Sequence, residues 1–224
     1  SNAATPPATS GAGAGNPAWG LYANSGGSVS ATRLFAGGWL RPGQSVSLQM
    51  DNGWIDNGSS VGVEFHQIAT TGASNAALTV KFTGGASFYT VTDSAGTTNS
   101  TIGFTGDGLA VSVKLTAQGA YTVSFGGFSR SGTLAGNASS INAVRIFNAN
   151  AGGESARDAY FNTVAVTCID VDSDGVCAST DCNDDNASVG AASVTYYLDG
   201  DNDGYLVASP TTVESSDGDC SDAN

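Results

Sequence analysis

Five short runs of strict apolar–polar alternation constrain this chain more than any other feature. They fall at residues 45–50, 61–65, 78–82, 109–115 and 121–125, and looser runs follow at 144–147 and 160–166. A period of two puts alternate side chains on opposite faces of an extended strand, so each run predicts a half-buried β-strand. Turn signals separate them: Pro42-Gly43, Asp51-Asn52-Gly53, Asp56-Asn57-Gly58, Gly84-Gly85, Gly106-Asp107-Gly108, Gly126-Gly127 and Gly152-Gly153. No window sustains a helical period. Short strands with Gly/Asn turns at regular spacing predict an antiparallel sandwich or barrel. About 150 residues and about a dozen strands favour a two-sheet jelly-roll sandwich over a seven-stranded one. That sandwich is expected over residues 16–167. Residues 1–15 are Ala, Gly, Ser, Thr and Pro with one Asn and no aromatic. They read as the remnant of a cleaved tag (Ser1-Asn2-Ala3) followed by a flexible linker.

The charge is divided sharply. Residues 1–167 carry all seven Lys and Arg and seven of the 20 Asp and Glu, so they net zero. Residues 168–224 carry the other thirteen acids and no base, which is the whole of the net charge of −13. Such a surface is a poor partner for nucleic acid and a good one for divalent cations. No transmembrane run and no secretory leader is present, and a native leader is expected to have been removed.

The acids of the second segment are patterned. Asp170, Asp172 and Asp174 occupy alternate positions and Gly175 follows, which matches positions 1, 3, 5 and 6 of a calcium loop. Val176 would give its backbone carbonyl from position 7, and Asp181 falls at position 12 to close the shell. Asp199, Asp201, Asp203, Gly204 and Tyr205 repeat the arrangement. There position 12 is Pro210, so the second loop carries an insertion and Asp219 is the equivalent closing residue. Calcium takes six to eight oxygens, and alternate residues of a tight loop can turn theirs inward. A solvated acidic tail is the bland alternative. It would not keep a glycine after the third Asp twice, nor repeat the box Asp181-Cys182-Asn183-Asp184-Asp185-Asn186 as Asp219-Cys220-Ser221-Asp222-Ala223-Asn224. All four cysteines, Cys168, Cys177, Cys182 and Cys220, lie in this segment with no histidine nearby. That argues against zinc and for two disulfides in an oxidising compartment, with three connectivities open.

These residues resemble the thrombospondin type 3-like and metal-binding Asp-rich repeats of secreted and surface proteins, many of them bacterial. The resemblance covers the last quarter of the chain. It implies calcium-stabilised extracellular structure, often a spacer, and the chain stops inside the second box, as in a piece cut from a longer array. The sandwich region resembles concanavalin A-like, lectin and glucanase jelly rolls of bacterial secreted proteins. The residues behind this are Asp51-Asn52-Gly53-Trp54-Ile55-Asp56-Asn57-Gly58, Phe104-Thr105-Gly106-Asp107-Gly108-Leu109 and Ala159-Tyr160-Phe161-Asn162-Thr163-Val164-Ala165-Val166. That resemblance implies a fold and a frequent activity, glycan binding.

Hydrolysis by such a fold would need paired carboxylates about 5–9 Å apart. Glu64, Glu154 and Glu214 form no such motif, and His66, the single histidine, has no nucleophile motif beside it. Sugar binding needs an aromatic for stacking and polar side chains for hydroxyls. Trp54 between Asp51-Asn52 and Asp56-Asn57 supplies both, and Trp39 and Tyr89 are further candidates. Against this, Trp54 could plug the core and the Asp-Asn-Gly pieces could be ordinary hairpin turns.

The expected protein is an all-β two-sheet antiparallel jelly-roll sandwich followed by an irregular calcium-binding repeat segment. It is a non-catalytic, extracellular or cell-surface module of a larger, presumed bacterial chain. Its expected partner is a glycan or surface polymer, with the calcium repeats as connector and no insertion into a membrane. A purely structural spacer is the competing class, and a glycoside hydrolase-like enzyme the third.

Overall fold

A computed structural model of the chain describes residues 3–4, 18–24, 26–68, 74–105, 108–167, 194–196 and 213–215. The chain divides into two compact units, Ser1–Thr167 and Cys168–Asn224. The described residues of the first unit form thirteen strands. They are β1 (Ala3–Ala4), β2 (Ala18–Leu21), β3 (Ser28–Leu34), β4 (Ser45–Asn52), β5 (Ser60–Ile68), β6 (Ser74–Thr83) and β7 (Thr90–Asp93). They continue with β8 (Gly96–Asn99), β9 (Leu109–Ala117), β10 (Ala120–Phe125), β11 (Phe128–Thr133), β12 (Ala143–Ala149) and β13 (Ala159–Val166). The second unit shows an antiparallel hairpin of β14 (Val194–Tyr196) and β15 (Val213–Ser215).

The strands of the first unit form two antiparallel sheets, the layers of a jelly-roll sandwich. The seven-stranded sheet has the order β1-β2-β13-β4-β9-β10-β11, and the six-stranded sheet β3-β12-β5-β6-β7-β8. The core lies between them. Val46, Leu48 and Met50 of β4 and Val111, Val113 and Leu115 of β9 line one side. Val61, Val63 and Phe65 of β5, Val80 of β6 and Ile146 of β12 line the other. All are at most 3 % exposed. Each such side chain contributes about 1.5–3 kcal/mol by leaving water, so the predicted alternation is the physical cause of the two layers.

Turn chemistry follows the glycines where it must. Gly126 and Gly127 take φ of +53° and +86° and join β10 to β11 in register Phe125 to Phe128. Positive φ at both turn residues matches the twist of the flanking strands and suits glycine. Asp51-Asn52-Gly53 behaves differently. Asp51 and Asn52 are not in a turn but end β4, paired with Tyr160 and Ala159.

Candidate functional site: the outer face of the six-stranded sheet

Because Val61, Val63 and Phe65 of β5 point into the core, Gly62, Glu64 and His66 belong to its outer face. Register carries that face across all six strands. One rung runs Thr32, Arg145, Glu64, Thr79, Thr92, Thr97. The next runs Ser30, Phe147, Gly62, Lys81, Thr90, Asn99. A trough of about 450 Å³ lies along them, lined by Ser60, Glu64, Thr79, Lys81, Arg145 and Phe147 among others.

Glu64 is its centre. Arg145 Nη1 donates to Glu64 Oε2 at 2.6 Å, and His66 Nε2 donates to the same oxygen at 2.9 Å. Arg145 also lies over the Phe147 ring, 5.8 Å from its centroid. A guanidinium held by a carboxylate on one side and an aromatic face on another has few orientations left. Burial pushes the Glu64 carboxyl up, but the hydrogen bonds from His66 and Arg145 outweigh it and hold the group below the usual carboxylate range. Glu64 is therefore ionised at neutral pH. Its stabilising effect is present above the ordinary carboxylate pKa and is lost as pH falls through the lowered value.

Gly62 lets β6 approach β5 closely at the rung it shares with Lys81. A Cβ there would meet the Val80 carbonyl oxygen at 2.4 Å and Lys81 Cβ at 2.6 Å. Lys81 is half-buried and joins no ion pair among the described residues. Around these charges stand hydroxyls, with Thr92 and Thr97 hydrogen-bonded at 2.8 Å. The trough thus offers a fixed donor (Arg145), a second cationic donor (Lys81), an acceptor (Glu64) and amphoteric hydroxyls, the complement of a polyhydroxylated ligand.

The predicted sugar loop, 51–58, ends two positions before Ser60 and contributes no lining residue to this trough. Trp54 is 67 % exposed and stacks on Phe104, with centroids 5.5 Å apart and planes at 14°. Phe104 meets Phe82 edge-on, and Phe82 meets Tyr89. Trp54 is therefore no core plug but the outer end of an aromatic stack anchored in the core. Asp56 is bound by Arg157 Nε at 2.8 Å, and Arg157 Nη1 also reaches Glu154. Asn57 is exposed, and its backbone bridges to Gly84.

The other predicted ligand residues are corrected. Asp51 and Asn52 are each 1 % exposed, and the Tyr89 hydroxyl, itself buried, donates to Asn52 Oδ1. Burial and the charge of Asp51 push the Tyr89 hydroxyl well up, while the Asn52 hydrogen bond opposes this. Asn52 and Tyr89 support the strand end from inside, while Asp51, one residue earlier, is buried on the opposite face of β4, so none of the three is open to a ligand. Trp39 is 43 % exposed, away from the trough residues. The predicted calcium ligands Asp170, Asp172, Asp174, Val176, Asp181, Asp199, Asp201, Asp203, Tyr205 and Asp219 lie outside the described residues, as do Cys168, Cys177, Cys182 and Cys220. Among the described residues no cluster of His, Cys, Asp or Glu is placed to hold a metal, and no helix is long and apolar enough to cross a membrane.

No family model and no curated protein matches the chain. Solved structures do. A sialidase is similar over 70 % of this chain and 16 % of its own, at 13 % identity and a TM-score of 0.53. An alginate lyase A1-II' is similar over 67 % of this chain and 78 % of its own, at 14 % identity and 0.46. A toad ovary galectin, solved with thio-digalactose, is similar over 62 % of this chain and 98 % of its own, at 15 % identity and 0.41. The chain spans about a sixth of the sialidase it matches. At such identity the likeness shows the fold alone.

One expectation is overturned. The lack of the paired carboxylates of sugar hydrolysis predicts a non-catalytic chain. Alginate lyases of polysaccharide lyase family 7 recur among the similar structures. The carboxylate test asked only about hydrolysis, and an eliminating enzyme on this fold would not be detected by it.

Proposed function

We propose that the first unit recognises a saccharide on the outer face of its six-stranded sheet. The observation that carries this is the Arg145–Glu64 pair, set in a trough walled by hydroxyls and braced from behind by the hydrogen bond of the buried His66. Hydrogen bonds to a fixed, ionised pair discriminate sugars better than apolar contact does, because a wrong ligand leaves buried polar groups unpaired. The exposed Trp54 ring, stacked on Phe104, is a second surface against which a sugar ring can stack. In this reading residues 168–224 form calcium-binding connecting repeats on an extracellular or cell-surface chain. Their donor set is entirely oxygen, which is calcium chemistry.

Two measurements test the two parts. A glycan array probed with residues 16–167 should give specific hits, and Arg145→Ala should weaken a chosen hit by about tenfold or more. The same substitution should move the Glu64 carboxyl upward by NMR titration, since it removes one of the two bonds that lower it. An array without hits would leave the structural spacer as the better reading. For the repeats, mass spectrometry of the unreduced protein should find no free thiol, and two or more would remove the disulfide assignment.

A further inference from the structure

On the side of the sandwich where β2 and β3 run, the two sheets part. The gap is a cleft of about 680 Å³, within the size range of small-molecule sites. Trp19, Phe161 and Val164 of the seven-stranded sheet wall one side, and Val144 and Ile146 of the six-stranded sheet wall the other. Val144 and Ile146 are 2 % and 3 % exposed, so the cleft reaches the core. Trp19 is paired with Phe161 yet stays 51 % exposed, an indole on the core-facing side of its strand that the sandwich leaves half in solvent.

Arg33 sits at the mouth. It pairs with Val144 across β3 and β12 and shares its core-facing parity. It lines the cleft, is exposed, and its guanidinium makes no hydrogen bond or ion pair among the described residues. Among the described residues no acidic side chain lines the cleft with it. An inward charge on an edge strand can also serve to discourage edge-to-edge pairing. That role requires neither the half-exposed indole nor the backbone opposite. Thr163 has a φ of +52°, a conformation unfavourable for a β-branched residue, within an irregularity in the β13–β4 register. This irregularity turns Thr163 and Val164 into the cleft wall. Strain of this kind persists where the surroundings impose it and gathers at ligand sites.

We propose that this cleft binds an amphipathic carboxylate, its acyl chain between Trp19, Phe161 and Ile146 and its carboxylate on Arg33. The apolar walls supply burial without direction, and the free guanidinium fixes which end faces out. The site lies apart from the saccharide trough and does not depend on it.

The test uses the full chain titrated with dodecanoate below its aggregation concentration, followed by methyl NMR of Val144 and Ile146. One saturating transition in those methyls is expected, with dodecanol binding about tenfold more weakly. Arg33→Gln should weaken dodecanoate about tenfold and leave dodecanol unchanged. Ala31→Trp, which fills the cleft from an edge strand, should abolish both. Non-saturating shifts, shifts confined to other residues, or equal affinity of Arg33→Gln and the parent for dodecanoate would overturn the proposal. Should Ala31→Trp fail to fold, Trp19→Ala at a half-exposed position replaces it, with weaker binding of both probes expected and unchanged binding overturning the site.

Discussion

Asp93→Ala should cost the sandwich about 3–5 kcal/mol, the loss found when one partner of a buried ion pair is removed. The Asp93 carboxylate is wholly buried and belongs to β7 of the six-stranded sheet. Its partners come mainly from the other sheet. The Tyr121 hydroxyl of β10 donates to Oδ2 at 2.7 Å, and Arg130 Nη2 of β11 donates to the same oxygen at 2.9 Å. Locally, the Ala95 amide donates to Oδ1 at 2.9 Å. This cluster ties the layers together where apolar packing thins toward the edge strands. Gly132 is part of it by size and not by conformation. A Cβ there would sit 2.5 Å from Asp93 Oδ2 and 2.9 Å from the Tyr121 hydroxyl. Burial, then the contact with Asp93, pushes the Tyr121 hydroxyl well up, so it remains a donor over the whole working range. Alanine at 93 would leave Arg130, about four-fifths buried, facing a vacated acceptor.

Urea denaturation measures the loss, and the pattern of variants identifies its cause. Tyr121→Phe should cost about 1.5–3 kcal/mol as one hydrogen bond to a charged group. Asp93→Ala/Arg130→Met should recover much of the single-variant loss, because it removes both charges together. Strictly additive losses would mean that the two residues stabilise independently and that the cluster is not a unit. A domain has only about 5–15 kcal/mol in hand, so Asp93→Ala alone could bring it close to unfolding at moderate temperature.

The layers were legible because burial writes itself as a period. All seven predicted runs lie within β4, β5, β6, β9, β10, β12 and β13. Of the strands left unseen, β2 and β7 have only four residues each, too few to show a period, and three longer or more exposed ones lack a clean buried face. β3 is exposed over most of its length, β8 is exposed throughout, and β11 alternates half-buried with exposed residues. Their sequences, SVSATRL, GTTN and FSRSGT, therefore show little apolar alternation. Asp51-Asn52 was misread for the opposite reason. Their chemistry suits a turn, but pairing with β13 extends β4 through them and buries both side chains. Trp54 stands out locally as a tryptophan among turn residues, and it is exposed. The trough does not stand out, since Arg145 reaches Glu64 across 81 positions and Lys81 meets Gly62 by register. Alternation did put Glu64 and His66 on one face, where their side chains bond at 2.9 Å. What joins them to Arg145 is strand order, which no local pattern encodes.

Chelating calcium should abolish amide protection at Val194–Tyr196 and Val213–Ser215 while leaving β4, β5 and β9 protected. The contrast follows from what holds each unit. The sandwich is neutral in sum and buries Tyr89, Tyr121, Phe65 and Leu48 among its largest core side chains, so it needs no ion. The hairpin of β14 and β15 has three residues in each strand, and an isolated two-stranded hairpin is marginal in water. The connection it must close contains Asp199, Asp201 and Asp203 and no base. Bringing the strands together brings those carboxylates together, and their repulsion opposes pairing until a cation neutralises it. An ion bound by the Asp199–Tyr205 ladder would offset both terms, contributing about 2.7 kcal/mol at a free concentration 100 times its dissociation constant. Sites of extracellular modules bind at about 10⁻⁴–10⁻³ M, so millimolar calcium should titrate the effect. Asp201→Ala should imitate the chelator at the hairpin, and Asp172→Ala should not, because it alters the first loop alone. Hydrogen exchange with and without chelator reads all three. Equal protection of the hairpin in both conditions would show that its strands pair without the ion and would remove calcium from the account of the second loop.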